Sequence, residues 1–106
     1  MTKFLIKASY SPDGAKGVLS AGGTSRRQAV ERSINNLGGK MHCFYFAFGE
    51  SDAYLIVEMP DAISAAALAM NVNASGLAAI SSTLLLDPED IDSAVKIGVD
   101  YRGPGK

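Results

Sequence analysis

His42 is the only histidine in the 106-residue chain, and Cys43, directly after it, is the only cysteine. These are the side chains best suited to metal binding or nucleophilic chemistry. Neighbouring residues of a strand point to opposite faces, so the two are expected not to share a site. One histidine and one cysteine are also too few for a metal-ligand set. His42 alone fits a cofactor-independent acid or base, because imidazole exchanges protons near neutral pH. The competing reading is a partly exposed residue at the start of a strand.

Tyr54 and Glu58 stand four residues apart in an alternating apolar run and are expected to share one sheet face with Tyr45. A carboxylate in an apolar interior holds its proton more tightly unless it is paired, and can then act as a base. Lys3 or Lys7, on the first strand, would convert Glu58 into half of an interfacial ion pair. Tyr45, Tyr54, Glu58 and Lys7 are thus the candidate ligand-binding residues, with Tyr54, Glu58 and His42 as candidate catalytic ones. Asp52 is expected to fix a turn through its own backbone, and Glu50 to be solvated. Ala21-Gly22-Gly23-Thr24-Ser25 precedes a helix, and its free amides could hold an anion with help from Arg26 and Arg27. It lacks P-loop spacing, and ordinary helix capping competes with that reading. Met41, Met59 and Met70 read as core fillers.

The elements that must position these residues follow from periodicity. Lys3–Tyr10 alternates as a first strand, with Phe4, Ile6 and Ala8 on one face. Ser11-Pro12-Asp13-Gly14 ends it, and a short helical turn through Val18 and Leu19 follows. Ser25 with Gln28 predicts a capping box opening the next helix, whose stripe is Val30, Ile34 and Leu37 and whose stop is Gly38-Gly39. The Arg26-Arg27 pair reads as a solvated helix start. A second strand over about 40–48 and a third over Ala53–Met59 form a hairpin. If Phe48 pairs with Ala53, then His42, Phe44, Phe46 and Phe48 face the helices together with Ala53, Leu55, Val57 and Met59. Pro60-Asp61 starts a helix to about Asn73, Gly76 closes it, and Ala79–Leu86 is a fourth strand. Leu84 and Leu86 fall on one face of it and Ser81, Thr83 and Leu85 on the other. Asp87-Pro88-Glu89-Asp90 starts a last helix with Ile91, Ala94, Val95 and Ile97 on its apolar side.

Strand, helix, hairpin, helix, strand is the order of an α+β ferredoxin-like domain, here one domain over residues 1–106 with an extra C-terminal helix. Hydrophobic residues at 47% and charged residues at 20% describe a globular chain. Net charge is -1 without a basic run, which argues against nucleic-acid binding. The most apolar stretch, Ala62 to Ile80, is interrupted by Asn71, Asn73 and Gly76 and is not expected to span a membrane. A lone cysteine and a start without signal-peptide character point to the cytoplasm.

Two helices on one side leave the other side of the sheet open, carrying Leu5, Tyr45, Tyr54, Ile56 and Leu85 among Lys3, Lys7, Glu58 and Thr83. So much apolar area calls for a partner, and a second copy, face to face in a closed barrel, is the expected one.

Leu37-Gly38-Gly39-Lys40, Phe44-Tyr45, Gly49-Glu50-Ser51-Asp52, Pro60-Asp61, Leu86-Asp87-Pro88-Glu89-Asp90 and Tyr101-Arg102 together resemble the GYD-domain family. The likeness covers nearly the whole chain. The departure is Ser51, where the family's Gly-x-Tyr-Asp turn has tyrosine. The resemblance implies a fold of the dimeric α/β-barrel superfamily and assembly as a homo-oligomer, and names no reaction. The expectation is therefore a cofactor-free homo-oligomer that binds a small, partly apolar molecule near the sheet. The alternatives are a cofactor-independent enzyme, monooxygenase- or isomerase-like, and a purely structural self-associating protein.

Overall fold

The computed structural model describes residues 1–106. In chain order the elements are β1 (Thr2–Tyr10), α1 (Pro12–Ala21), α2 (Gly23–Asn36), β2 (Lys40–Phe46), β3 (Ala53–Met59), α3 (Ala62–Ala74), β4 (Ala78–Leu85) and α4 (Pro88–Ala94). The strands form one antiparallel sheet in the order β2-β3-β1-β4. This is the α+β ferredoxin-like arrangement that the sequence predicts.

Alternation builds the core. Phe4, Ile6 and Ala8 of β1 and Ala53, Leu55, Val57 and Met59 of β3 all turn to one side and are buried with Ile34 of α2. Val30 of α2, Leu37 just after its end, and Ala65 and Leu68 of α3 pack against that layer. Burying a side chain the size of Ile34, Val57 or Met59 stabilises the fold by about 1.5–3 kcal/mol. The stop of α2 follows from Gly38, at φ 81°. Its N–H donates to Asn35 O and that of Gly39 to Ile34 O, a Schellman pair that satisfies two free carbonyls. Gly39 also lets the chain pass close to β3, because a Cβ there would lie 2.7 Å from Glu58 O and 2.8 Å from Met59 Sδ. At the start of α3 the Asp61 carboxylate accepts from Ser64 N at 2.7 Å.

Several local expectations are corrected. The segment after β1 is a ten-residue helix and not a brief turn. Ser11 caps it, accepting from Gly14 N at 3.1 Å, and Pro12 occupies the first helical position, where its missing N–H is no loss. The Ser25–Gln28 capping box does not form. Gly22, at φ 87°, already turns the chain from α1 into α2, and Ser25 lies inside the helix. Arg26 is half-buried instead of solvated, while Arg27 is exposed.

In the hairpin Phe46, not Phe48, pairs with Ala53. The two-residue offset leaves Phe44 and Phe46 on their expected face, because strand alternation has period two. Phe48 falls in the loop and is fully exposed. A bulge between Met41 and Cys43 places Met41 opposite Val57, so Met41 and not His42 packs toward the helices. Met70 is 72% exposed and fills no core. Leu84 and Leu86 are also largely exposed.

The last helix has only seven residues, and its expected apolar side is not covered. Ile91, Val95, Ile97, Val99 and Tyr101 are all exposed, and α4 packs substantially against no other element. The chain accordingly measures 56 × 33 × 23 Å, with a radius of gyration of 17.0 Å. A compact chain of this length has about 13 Å.

Candidate functional site

The open face of the sheet is arranged in cross-strand rows. Tyr45 stands opposite Tyr54, Tyr54 opposite Lys7, and Lys7 opposite Ser81. The next row is Cys43, Ile56, Leu5 and Thr83. The third joins Lys40, Glu58, Lys3 and Leu85. Every residue expected on this face is found there, and Tyr45 is 68% exposed on it.

His42 joins them, contrary to expectation. Its Nε2 lies 3.0 Å from Glu58 Oε2. Because the bulge adds one residue to β2, alternation breaks between His42 and Cys43, and both belong to the open face. Glu58 therefore pairs with His42 and not with a lysine. Lys3 reaches instead to Asp87 Oδ1, at 3.4 Å, beside the start of α4. Tyr54 is four residues along β3 from Glu58, roughly 13 Å, with Ile56 between. The three candidate catalytic residues thus lie on one face, but only His42 and Glu58 touch. No three His, Cys, Asp or Glu side chains cluster as metal ligands.

Asp52 does not merely bond its own turn. Its carboxylate accepts from Tyr10 N at 2.8 Å, and its N–H donates to Ala8 O at 2.8 Å. The hairpin loop is thereby tied to the end of β1. Ser51, beside it, is only 7% exposed.

The helix side holds a feature that strand alternation does not announce. A groove of about 750 Å³ opens between α1 and α2 on one side and α3 on the other. Small side chains leave this space: Gly14, Gly17 and Ala21 on α1, Ala29 and Ser33 on α2, Ala67 on α3. Its apolar wall includes Val18, Val30, Leu68 and Val72, and Arg26 lies over the Tyr10 ring, Cζ to centroid 5.7 Å. A signal for Arg26 exists in the sequence. Positions 26, 30, 34 and 37 form one helical stripe, so a charge at 26 belongs to the inward face.

The GYD-domain family model matches residues 4–95. The chain belongs to the GYD-domain family. The match runs from Phe4, within β1, to beyond the end of α4, so the groove and all of the sheet face but Lys3 are built within the GYD domain. The domain's turn, Gly49-Glu50-Ser51-Asp52, is the loop that Asp52 fastens to β1. No curated protein and no solved structure matches the chain. No helix is long and apolar enough to cross a membrane.

Proposed function

We propose that this GYD-domain protein is a homo-oligomeric, cofactor-free protein that binds a small, partly apolar molecule. One observation carries the reading: the protomer leaves two apolar surfaces of different shape uncovered. The sheet face is broad and suits another sheet; the groove is concave and within the size range of small-molecule sites.

Self-association has further support at the C-terminal end. The Lys3–Asp87 pair starts the C-terminal segment beside the open face, and the apolar residues beyond it find no cover within their own protomer. Two sheets brought face to face would bury Leu5, Tyr54 and Ile56 and form a barrel with the helices outside. A single free thiol fits a cytoplasmic setting.

Native mass spectrometry of protein purified from its own host tests both parts at once. The expected result is a dimer or larger assembly that retains a small organic adduct. A stable, ligand-free monomer overturns the reading, and an assembly that carries nothing makes the protein a structural self-associating one.

A cofactor-independent enzyme is the second reading, and the His42–Glu58 contact favours it. A carboxylate that orients an imidazole is a recurrent acid–base device. Glu58→Gln and Tyr54→Phe discriminate the two. An enzyme loses turnover with its assembly intact, whereas an interface residue changes the assembly.

A further inference from the structure

The groove contains a positive charge that the protein does not neutralise. The Arg26 guanidinium makes no ion pair, and its Nε is shut off from solvent without a hydrogen-bond acceptor. Asp13, the carboxylate that also lines the groove, is exposed and outside ion-pair distance. A buried N–H without an acceptor is unfavourable, and a guanidinium pairs best with a planar oxyanion that takes two of its N–H groups. The first turn of α2 adds to this field. It starts at Gly22 with no side-chain cap and no acidic residue, and it carries Ser25 and Arg26 into the groove. Beyond the guanidinium the wall carries the apolar strip Val30, Leu68 and Val72, with Ser33, Asn36 and Asn71 as uncharged polar neighbours. A narrow extension of the groove runs beneath Tyr10 and Arg26 toward Ile6, Leu55 and Phe44.

The geometry points to an organic carboxylate with an apolar body as the ligand of this groove, its head group on Arg26 and its body along Val30, Leu68 and Val72. The inference rests on the binding reading above and adds the location and the chemical class. An alkane body would replace water along the apolar walls, and the carboxylate would accept from the terminal N–H groups of Arg26, which bond to no protein acceptor and, unlike Nε, are not shut off from solvent.

The test is calorimetric titration of decanoate and of decanol into the wild-type protein and into Arg26→Gln, Arg27→Gln and Gly17→Leu, with thermal unfolding confirming that each variant is folded. Gly17 lines the groove, and a Cβ there meets no atom within 4 Å, so a leucine can enter the space without displacing backbone. The wild type and Arg27→Gln are expected to bind decanoate about ten- to a hundredfold more tightly than decanol, the range of a hydrogen bond to a charged group. Arg26→Gln should abolish that preference, and Gly17→Leu should abolish binding of both. Equal affinity for decanoate and decanol in the wild type overturns the inference, as does an equal loss in Arg26→Gln and Arg27→Gln. If neither probe binds while native mass spectrometry still finds a different adduct, the ligand class falls and the binding reading stands. If there is neither probe binding nor adduct, both fall. Binding that survives Gly17→Leu places the ligand elsewhere and overturns the assignment of the groove.

Discussion

The Asp52 carboxylate accepts a hydrogen bond from the backbone N–H of Tyr10, 42 residues earlier, at 2.8 Å. The β2–β3 loop is thus fastened to the last residue of β1, the residue whose ring lies against Arg26. Hydrogen bonds to charged groups contribute about 1.5–3 kcal/mol. Asp52→Ala should destabilise the protein by that amount in urea unfolding, with Asp52→Asn, which keeps an acceptor, losing less. No change in either would mean that the loop is held by its backbone bonds alone.

Gly14 sits where α1 meets the segment before β4. A Cβ there would overlap the Leu77 carbonyl oxygen, a backbone atom that cannot turn aside. Gly14→Ala is therefore expected to cost about 1–3 kcal/mol, the usual penalty of overpacking, despite the better helix propensity of alanine. Thermal melts of the two proteins check it. A stabilised variant would show that α1 shifts freely away from Leu77.

The Asp61 carboxyl titrates below its ordinary value of 3.8, chiefly because the Ser64 backbone N–H bonds to the charged form. The folded state then binds this proton less readily than the unfolded chain. Its contribution is complete above the ordinary value and is lost as pH falls through the lower, folded-state value. Asp61→Asn, which caps without a charge, should flatten this part of the acid-unfolding profile. Asp61→Ala should lower stability at neutral pH as well. An unchanged profile in Asp61→Asn would remove Asp61 as a source of acid sensitivity.

His42 and Glu58 are each about one-third exposed, at 36% and 29% of the side chain. A pair so placed contributes little to folding, about 0–1 kcal/mol. His42→Ala should accordingly leave the unfolding midpoint nearly unchanged. A large loss would mean that the pair is buried in the assembled protein, which sedimentation of the same variant would reveal as a shift in subunit number.

Ile91 and Ile97 contact solvent in the single chain. Replacing both with aspartate should weaken self-association while leaving the folding of the rest of the chain intact. Light scattering reads the first effect and circular dichroism the second. An unchanged assembly would exclude the C-terminal segment from the interface.

Much of the fold was legible because its signals are local. The bounds of β3 agree with the sequence to the residue, since strict alternation ends at Pro60 and Asp61, which break a strand and cap a helix. The Gly38-Gly39 stop and the rows of the open face were readable for the same reason: period two, or a backbone position open to glycine. The site was less legible. Strict alternation sends His42 to the helix side, but one inserted residue in β2 reverses it, and a bulge has no residue signature of its own.

By itself, then, the sequence determined the order and period of the elements, and with them the core, the open face and the family. Only the tertiary structure decided what lies between elements. The His42–Glu58 contact depends on how β2 registers against β3. The bond from Asp52 to Tyr10 joins segments far apart in the chain. The groove exists because small residues on three helices face one another. The unpaired state of Arg26 depends on which carboxylates fail to reach it. Periodicity sorts side chains between two faces of one element, whereas register, helix spacing and the absence of a partner are properties of pairs of elements, fixed when the chain packs.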